Sequence, residues 1–418
     1  MPGVDYAPRV HDEPAKAAVV AGPDRKTATA LIFGIIFLDM MGVGLIAPLM
    51  PYITEQFGDS ALRVGILTSA YSVAQFLASP VLGALSDRFG RRPVLIISLI
   101  GTAIGYFVFA SADVFWLLVA ARLLDGVTGG NVSTAQAYIG DITPPQDRAK
   151  TFGLMGAAFG LGFTLGPALG AALSVMGRMA PIYAAGCLAL VTAALVAWKL
   201  PETLPPELRT KGRMSIGTLN PMAGLAKAFA MPRVPMFLGV IGALGLAHAE
   251  LRSSLGIYAK ERFAFNEQKA ELMFAFMGVI AIIVQGGLLR VVTKVVKDRT
   301  IVMLMLPVAA AGFALLPVPG TAWGMLGALA LAALGMGLAG PNLSGMVSKA
   351  AGERAQGIAM GATQSISSLG LVVGPLLATM LYDHVGMSWP FYSAAAFIML
   401  GWVVMSFVAV DGEAAKQA

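Results

Sequence analysis

The chain has 418 residues, of which 57% are hydrophobic and only 12% are charged. A soluble domain carries about 25% charged residues, so this charge density excludes a soluble enzyme as the first interpretation. The single cysteine, Cys187, excludes a disulfide framework and a multi-cysteine metal site. We find no nucleotide loop, metal-ligand cluster or Ser/His/Asp arrangement, so the sequence predicts a membrane protein that is not an enzyme and needs no metal or cofactor.

Twelve apolar stretches each have roughly the 20 residues that a helix needs to cross a bilayer. They are 30–53, 62–85, 93–111, 114–139, 151–175, 181–200, 235–258, 271–293, 300–318, 322–346, 356–382 and 389–410. Residues 1–29 are mixed in charge and lack the apolar core of a secretory signal. The sequence therefore predicts an all-α membrane protein with twelve transmembrane helices, preceded by a disordered cytoplasmic tail.

The distribution of Lys and Arg predicts the orientation. Of the 29 such residues, 22 lie in the tails, the even-numbered loops and the adjoining span ends, five lie in odd-numbered loops, and two fall inside spans. Because cytoplasmic loops carry the positive excess, both termini are expected to face the cytoplasm, with the chain in the cell inner membrane. The net charge of +6 is therefore a topology signal and does not indicate nucleic-acid binding.

A repeat relates the two halves of the chain. The longest polar interruption, 201–234, is expected to be a cytoplasmic linker between six-helix bundles at 30–200 and 235–410, with a tail at 411–418. Gly130-Asn131-Val132-Ser133 recurs as Pro341-Asn342-Leu343-Ser344, and four Gly and Pro positions after it recur at a constant offset of 208. Two halves related in this way predict a pseudo-symmetric bundle with a cavity between them at mid-membrane.

Three ionisable residues lie near the predicted middle of the bilayer, where each costs at least ~2.5–3.5 kcal/mol on insertion scales and needs a partner or a wet cavity. Asp39 is on span 1, and Arg122 and Asp125 are on span 4. In one interpretation they only neutralise one another and hold helices together. In the other they form a relay in which an Asp carries the proton, because Arg does not deprotonate.

Two further charges, Glu250 and Arg252, lie nearer the outer end of span 7 and suggest an outer gate or a pair at the level of the lipid headgroups. His248 shares a helix face with Arg252 at i, i+4 spacing and is interpreted as structural. On span 10, Asn342 offers a polar contact. The residues predicted to line the central substrate cavity are Asp39, Arg122, Glu250 and Asn342.

An ordered motif, GALSDRFGRRP, runs from Gly83 to Pro93 between spans 2 and 3. Gly90 permits a left-handed bend, and Pro93 suits the first turn of span 3. We expect the motif to be a tight cytoplasmic turn that controls gating. Its expected gating residues are Gly83, Asp87, Arg88, Gly90 and Arg91.

This motif resembles the signature loop of the major facilitator superfamily. Arg122-Leu123-Leu124-Asp125-Gly126 resembles the span-4 motif of that family, and the glycines from Gly153 to Gly170 resemble the span-5 motif of its drug:proton antiporter branch. Within that branch, Phe37 to Pro48, Ser86 to Pro93 and Gly357 to Pro375 are similar to the tetracycline efflux pumps. Those pumps carry acids within spans 3 and 9 and a histidine in span 8, whereas the matching positions here are Gly105, Val308 or Ala309, and Ala281.

The resemblance implies a proton-coupled exporter of a drug-like molecule, of tetracycline or multidrug type, that works by alternating access. Asp39, Arg122 and Asp125 are expected to couple protons, while Asp87 pairs with the neighbouring half when the outward opening is shut and Arg91 holds the loop. Helix bends are expected to let span 5 pack on span 8 and span 11 on span 2, at Gly162, Gly166, Pro167, Gly370, Gly374 and Pro375.

The alternative is a proton-coupled transporter of a metabolite such as a sugar or organic anion. The expected partners are the substrate, protons and the lipid bilayer, and the protein is expected to be a monomer.

Overall fold

The computed structural model describes residues 25–58, 60–144, 147–210 and 222–408. The predicted C-terminal tail, residues 1–24 of the N-terminal tail and residues 211–221 of the linker lie outside these ranges. The described helices form two six-helix bundles, as the sequence predicts. They are α1 (Lys26–Phe57), α2 (Ala61–Phe89), α3 (Arg91–Ala110), α4 (Phe115–Gly129 and Val132–Ile142), α5 (Arg148–Leu173), α6 (Ala180–Lys199), α7 (Val234–Phe263), α8 (Glu267–Val295), α9 (Asp298–Leu315), α10 (Ala322–Gly352), α11 (Ala355–His384) and α12 (Trp389–Ser406).

Eleven of these helices are individually long and apolar enough to cross a membrane. The twelfth, α4, is broken after Gly129 and resumes at Val132, so each of its segments is shorter than a full span. A helix supplies hydrogen-bond partners for its own backbone N–H and C=O groups, and the hydrocarbon of the bilayer supplies none. A break inside a span therefore has to lie against protein, and Asn131 at this break is fully buried.

The two bundles repeat one packing pattern. In the N-terminal bundle α1 packs on α5, α2 on α4 and α3 on α6, and in the C-terminal bundle α7 packs on α11, α8 on α10 and α9 on α12. The bundles meet where α2 packs on α11 and α5 packs on α8. The same four helices were expected at this contact from the sequence.

The glycines that were expected to bend α5 and α11 bring helices together within each bundle. A Cβ added at Gly162 would lie 2.5 Å from the Phe37 carbonyl oxygen, and a Cβ added at Gly166 would overlap the Met41 carbonyl oxygen. Both glycines therefore face α1. Gly370 and Gly374 face α7 in the same way. Both α5 and α11 run as helices through their prolines, Pro167 and Pro375. Small residues allow such close backbone approach between membrane helices.

The halves differ at the repeated asparagine motif. In α4 the regular helical hydrogen bonding is interrupted at Gly130 and Asn131, whose backbone stays in the right-handed helical region, whereas α10 continues as a helix through Pro341 and Asn342. The C-terminal half breaks later, at Gly352, whose φ of 69° separates α10 from α11. The pseudo-symmetry therefore holds for the packing of helices and not for the place where each is interrupted.

The α1–α5 contact predicts that Gly166→Val destabilises the protein by about 1–3 kcal/mol, the usual range for overpacking a tight interior. Gly156 on the same helix has no heavy atom near the place of an added Cβ, so Gly156→Ala should leave stability unchanged or slightly raised. Thermal unfolding in detergent measures both. Equal melting temperatures for the two variants would contradict the contact.

Candidate transport site

The centre of the N-terminal bundle holds a buried ion pair on one helix. Arg122 Nη1 lies 2.6 Å from Asp125 Oδ2, and both side chains are about 5% exposed. The two residues are three apart on α4, a spacing that places side chains on the same face of a helix. The Arg122 guanidinium also lies over the Tyr71 ring of α2, 4.3 Å from its centroid. The guanidinium is therefore held by its own helix and by an aromatic ring of the next.

Asp39 lies beside this pair without joining it. The Asp39 side chain is buried, and its Oδ2 has no hydrogen-bond partner in the described part of the chain. Asn131, at the break in α4, and Asp125 are the side chains whose dipole or charge acts on it. Of the three charges, Arg122 therefore pairs with Asp125 and not with Asp39, which leaves one buried carboxyl group with an open hydrogen-bonding position.

Two tyrosines complete the cluster, and the sequence analysis missed both. Tyr71 and Tyr106 are buried and lie within the electrostatic reach of Asp39, Arg122 and Asp125. On α1, Gly42 makes room for the Tyr106 ring, since an added Cβ would overlap the Tyr106 hydroxyl. The only signal in the sequence is a tyrosine inside each of two apolar spans. The direction in which each tyrosine side chain points depends on how α2 and α3 are rotated about their axes relative to α1.

Arg252 reaches this region from the other bundle. Its guanidinium lies 5.2 Å from the ring centroid of Phe163 on α5, and Nη2 is 3.5 Å from the Val43 carbonyl oxygen on α1. Tyr71 and Arg122 lie within its electrostatic reach. Arg252 is thus a second cation near Arg122 and does not pair with Glu250. Of the two expectations, the Glu250–Arg252 pair is not formed, and the contacts of Arg252 with α1 and α5 join the two halves.

Glu250 lies on the opposite side of α7, inside the C-terminal bundle. Its side chain is fully buried, and Oε2 accepts a hydrogen bond of 2.6 Å from Ser393 on α12. Residues two positions apart on a helix do not share a face, so Glu250 and Arg252 point in different directions. The prediction that Glu250 lines the substrate cavity does not match this placement.

An open cavity of about 280 Å³ lies between α7, α10 and α11. Its walls are mostly apolar, with a few hydroxyl groups and one imidazole, that of His248. The lining residues are Ile241, Leu244, Gly245, His248, Met336, Gly340, Ser344, Thr363, Ser367 and Leu371. Asn342 is close in sequence to Ser344, but its side chain is buried and donates to the Leu338 carbonyl oxygen of its own helix at 2.6 Å. The structure thus brings His248 to a cavity wall and turns Asn342 away from it.

The signature motif forms a compact turn. Helix α2 continues to Phe89 and α3 begins at Arg91, so Gly90, with a φ of 105°, is the whole connection. Arg91 Nη1 lies 2.5 Å from Asp87 Oδ1, and its Nε lies 3.2 Å from Asp141 Oδ2 at the end of α4. Asp87 therefore pairs with Arg91 in its own half, and not with the neighbouring half as expected. Arg88 is exposed beside Phe89, and Gly83 lies near Ser133 of α4.

The segment after α6 holds this turn in place. The Glu202 carboxylate accepts backbone hydrogen bonds from Arg91 and Arg92 at 2.9 and 3.1 Å, at the first turn of α3. The amide of Thr210 donates to the Asp87 carbonyl oxygen at 3.0 Å. A carboxylate at a helix N-terminus satisfies free amides and complements the helix dipole. The role of Glu202 was not apparent from the sequence, because it comes from a segment more than a hundred residues away.

Polar bonds join the two halves at the opposite end of the molecule, which we call the closed end. Asp383 of α11 accepts hydrogen bonds from the amides of Ala61 and Leu62, both at 3.0 Å, and so caps α2 from the other half. Two ion pairs cross at the same end. They are Arg178–Glu267 at 2.9 Å and Lys260–Glu55 at 3.1 Å.

Comparison with known proteins agrees with this architecture. The family model of the Major Facilitator Superfamily matches residues 32–373. The chain is 33% identical over 380 residues to the tetracycline resistance protein, class C, of Escherichia coli, which covers 90% of this chain and 93% of that protein. It is 29% identical to human major facilitator superfamily domain-containing protein 10, covering 99% of this chain and 98% of that one.

Solved structures give the same fold. The crystal structure of the human organic anion transporter MFSD10 (TETRAN) matches with a TM-score of 0.68 and 27% identity, covering 92% of this chain and all of that one. A bacterial homolog of the human lysosomal transporter Spinster, in an inward-facing and unoccupied conformation, matches with a TM-score of 0.70. Its identity is 15% over 92% of this chain and 95% of that one, so this likeness concerns the fold alone.

The ion pair on α4 predicts a specific double-mutant cycle. Arg122→Gln alone leaves Asp125 buried and unpaired, which costs about 3–5 kcal/mol, whereas Arg122→Gln with Asp125→Asn should recover much of that loss. Pairing Arg122→Gln with Asp39→Asn should recover less, because Asp39 is not the partner of Arg122. Thermal unfolding measures all three. A larger recovery with Asp39→Asn would assign the pair to Asp39.

Proposed function

This chain belongs to the major facilitator superfamily, and we propose that it exports a drug-like small molecule in exchange for protons by alternating access. Membership of the family makes it a multi-pass membrane transporter, and twelve helices in two bundles provide the scaffold. The direction, the coupling ion and the substrate class are our inference. They rest on the site described above and on its likeness to tetracycline resistance proteins.

The observation that carries the proposal is the buried carboxyl group of Asp39, whose Oδ2 has no hydrogen-bond partner in the described part of the chain. A carboxylate buried without a full set of hydrogen bonds costs several kcal/mol, and binding a proton removes that cost. The Arg122–Asp125 pair stands next to it, so a change in the packing of α1 against α4 alters the field at Asp39. Proton binding and helix movement are thereby linked, which is what proton coupling requires.

Asp125 also bears on the comparison with the tetracycline pumps. The resemblance puts an acid on the third span, where this chain has Gly105. In the structure, a Cβ added at Gly105 would lie 3.3 Å from the Asp125 Cβ. The Asp125 carboxyl group on α4 therefore lies beside the position at which the pumps carry an acid on the third span. This supports a shared coupling chemistry with a different placement of the acid.

The cavity between α7, α10 and α11 is our candidate for the substrate site. Ligand pockets are mostly apolar with a few placed polar groups, and this cavity combines Leu244, Met336 and Leu371 with three hydroxyl residues and His248. Methionine adapts to varied ligand shapes. An amphiphilic molecule with an aromatic or alicyclic body suits such walls better than a sugar, which needs a dense set of hydrogen-bond partners.

The distribution of bonds between the halves supports alternating access. The closed end is joined by capping and ion pairs, while Asp87 at the other end bonds within its own half. If the Lys and Arg excess places the signature motif in the cytoplasm, as we propose, this conformation is inward-facing in the inner membrane. Both termini then lie in the cytoplasm.

A specific observation favours a second candidate, the transport of organic anions. Arg252 adds a central cation to Arg122, and the related human protein is described as an organic anion transporter. Arg122 is paired with Asp125, whereas Arg252 forms no ion pair among the described residues, so this region favours a substrate that carries negative charge. In this alternative the substrate's anionic group lies next to Arg252.

The first test is Asp39→Asn in everted membrane vesicles with an imposed pH gradient. We expect pH-driven substrate accumulation to fall at least tenfold, because an amide cannot exchange a proton, while gel filtration and thermal unfolding stay unchanged. Asp113→Asn, an exposed acid in the α3–α4 connection, is the matched control and should transport normally. Persistent pH-driven export by the Asp39 variant would refute its assignment.

The second test separates the two substrate classes. Cells of an efflux-deficient host are scored for susceptibility to tetracyclines, phenicols, quinolones and dyes, and vesicles are scored for uptake of labelled organic anions. A drug exporter should protect the cells and lose that protection with Asp39→Asn. An organic anion transporter should instead move the anions and lose this activity with Arg252→Gln. Protection by a chain that moves no anion decides against the second candidate.

A further inference from the structure

A buried carboxyl group that the proposed coupling site does not use lies at the contact between the two halves. Glu271 is one turn into α8, its side chain is fully buried, and neither carboxyl oxygen has a hydrogen-bond partner in the described part of the chain. It is four residues after Glu267, whose ion pair with Arg178 joins the halves at the closed end. The surroundings of Glu271 therefore change when the two halves open or close at that end.

A glycine of the other half, Gly170, leaves the space that this carboxyl group occupies, which we call the seat. A Cβ added at Gly170 of α5 would overlap the Glu271 carboxyl oxygens. Any larger residue at position 170 would push Glu271 out or hold α5 and α8 apart. Gly170 is part of the glycine series of α5, but it faces α8, whereas Gly162 and Gly166 face α1. The series thus serves two different contacts.

An ionised carboxylate is out of place in this seat. Removing it from water costs several kcal/mol, and among the described residues no guanidinium, ammonium or amide donor compensates for the loss. A neutral carboxyl group carries a far smaller cost. When the halves separate at the closed end, α5 leaves α8 and the same group meets water, where the charged form is stable.

We propose that Glu271 is a second proton-binding site, which holds a proton while the closed end is shut and releases it when α5 and α8 separate there. The proposal rests on the proton-coupled function inferred above and adds a site to it. A proton taken up by Glu271 favours closure of this end. If this end faces the outside, an external proton bound by Glu271 shifts the equilibrium toward the inward-facing state. Because that proton leaves on the same side, Glu271 sets the conformational balance, and coupling to the pH gradient stays with Asp39.

The other charged and titratable groups at the closed end respond to pH with the opposite sign. Glu267 and Glu55 are bound as anions to Arg178 and Lys260, and Asp383 of α11 accepts amide hydrogen bonds from α2. These contacts need an ionised carboxylate, so a proton on any of them would break a bond between the halves, whereas a proton on Glu271 breaks none. Tyr52 of α1 also lies within the electrostatic reach of Glu271, and its hydroxyl donates to the Phe265 carbonyl oxygen at 2.7 Å. Closure on acidification therefore distinguishes Glu271 from its neighbours.

The experiment measures the distance between the halves at the closed end as a function of pH, without substrate. The exposed native thiol, Cys187, is replaced by serine, and spin labels are placed at the exposed positions Asp113 and Gly320 in the α3–α4 and α9–α10 connections. Pulsed electron paramagnetic resonance then gives the populations of short and long distances in full-length protein between pH 5 and pH 9.

In the wild type, the ratio of closed to open molecules should rise as the pH falls, by up to about tenfold per pH unit for one proton. Glu271→Gln mimics the protonated group and should stay closed across the whole range. Glu271→Asp keeps a carboxyl group and should restore the pH response. Glu261→Gln is the matched control, because Glu261 is an exposed carboxylate on α7 at the same end that bonds Tyr382 of its own half.

A second variant keeps the test decisive if Glu271→Gln fails to fold. Gly170→Ala removes the seat without altering the acid, and it should lower the closed fraction at acidic pH relative to the wild type. A wild-type pH response in Glu271→Gln or in Gly170→Ala, or opening of the wild type by acid, would overturn the proposal. Since no substrate is present, that result leaves the Asp39 assignment standing, and loss of transport coupling at Asp39 leaves this measurement unaffected.

Discussion

The high cost of an ionised group in hydrocarbon is the constraint on which the interior of this protein depends. The chain meets it differently at each buried charge. Arg122 is neutralised by Asp125 three residues along its own helix. Glu250 takes a hydrogen bond from Ser393 within one bundle. One oxygen atom of Asp39, one of Glu250 and both of Glu271 have no hydrogen-bond partner in the described part of the chain, and a bound proton is a further way to remove the charge of such a group.

Asp39 and Glu271 occupy different mechanical positions. Asp39 lies inside the N-terminal bundle, beside the break in α4, so it is sensitive to rearrangement within that bundle. Glu271 lies on the surface where α8 meets α5, so it is sensitive to separation of the bundles. A transporter that uses both couples protons to a local change at the centre and to the opening of one end. The ion pairs and the Asp383 cap at that end set the strength of the closure against which protonation acts.

Close packing makes this arrangement possible. Glycines on α5 and α11 let α1 and α7 approach the backbone of their neighbours, and they do so at pseudo-symmetric positions. Membrane helices associate through such contacts because lipid tails give apolar side chains no reason to leave them. The break in α4 departs from the symmetry. It brings Asn131 into the charge cluster, while its counterpart Asn342 remains in a continuous helix and bonds its own backbone.

The spans, the division into halves, the family motifs and the identity of the mid-membrane charges are predictable from the sequence. These follow from hydropathy, spacing and the cost of burying charge, which are properties of short segments. The tertiary structure alone decided which charges meet. It paired Arg122 with Asp125, brought Tyr71 and Tyr106 to them, and turned Glu250 away from Arg252. It also set Glu271 against Gly170, two residues of different halves that are about a hundred positions apart in the chain. Such contacts depend on the rotation of each helix about its axis, and that rotation is fixed by packing against neighbours that no local pattern specifies.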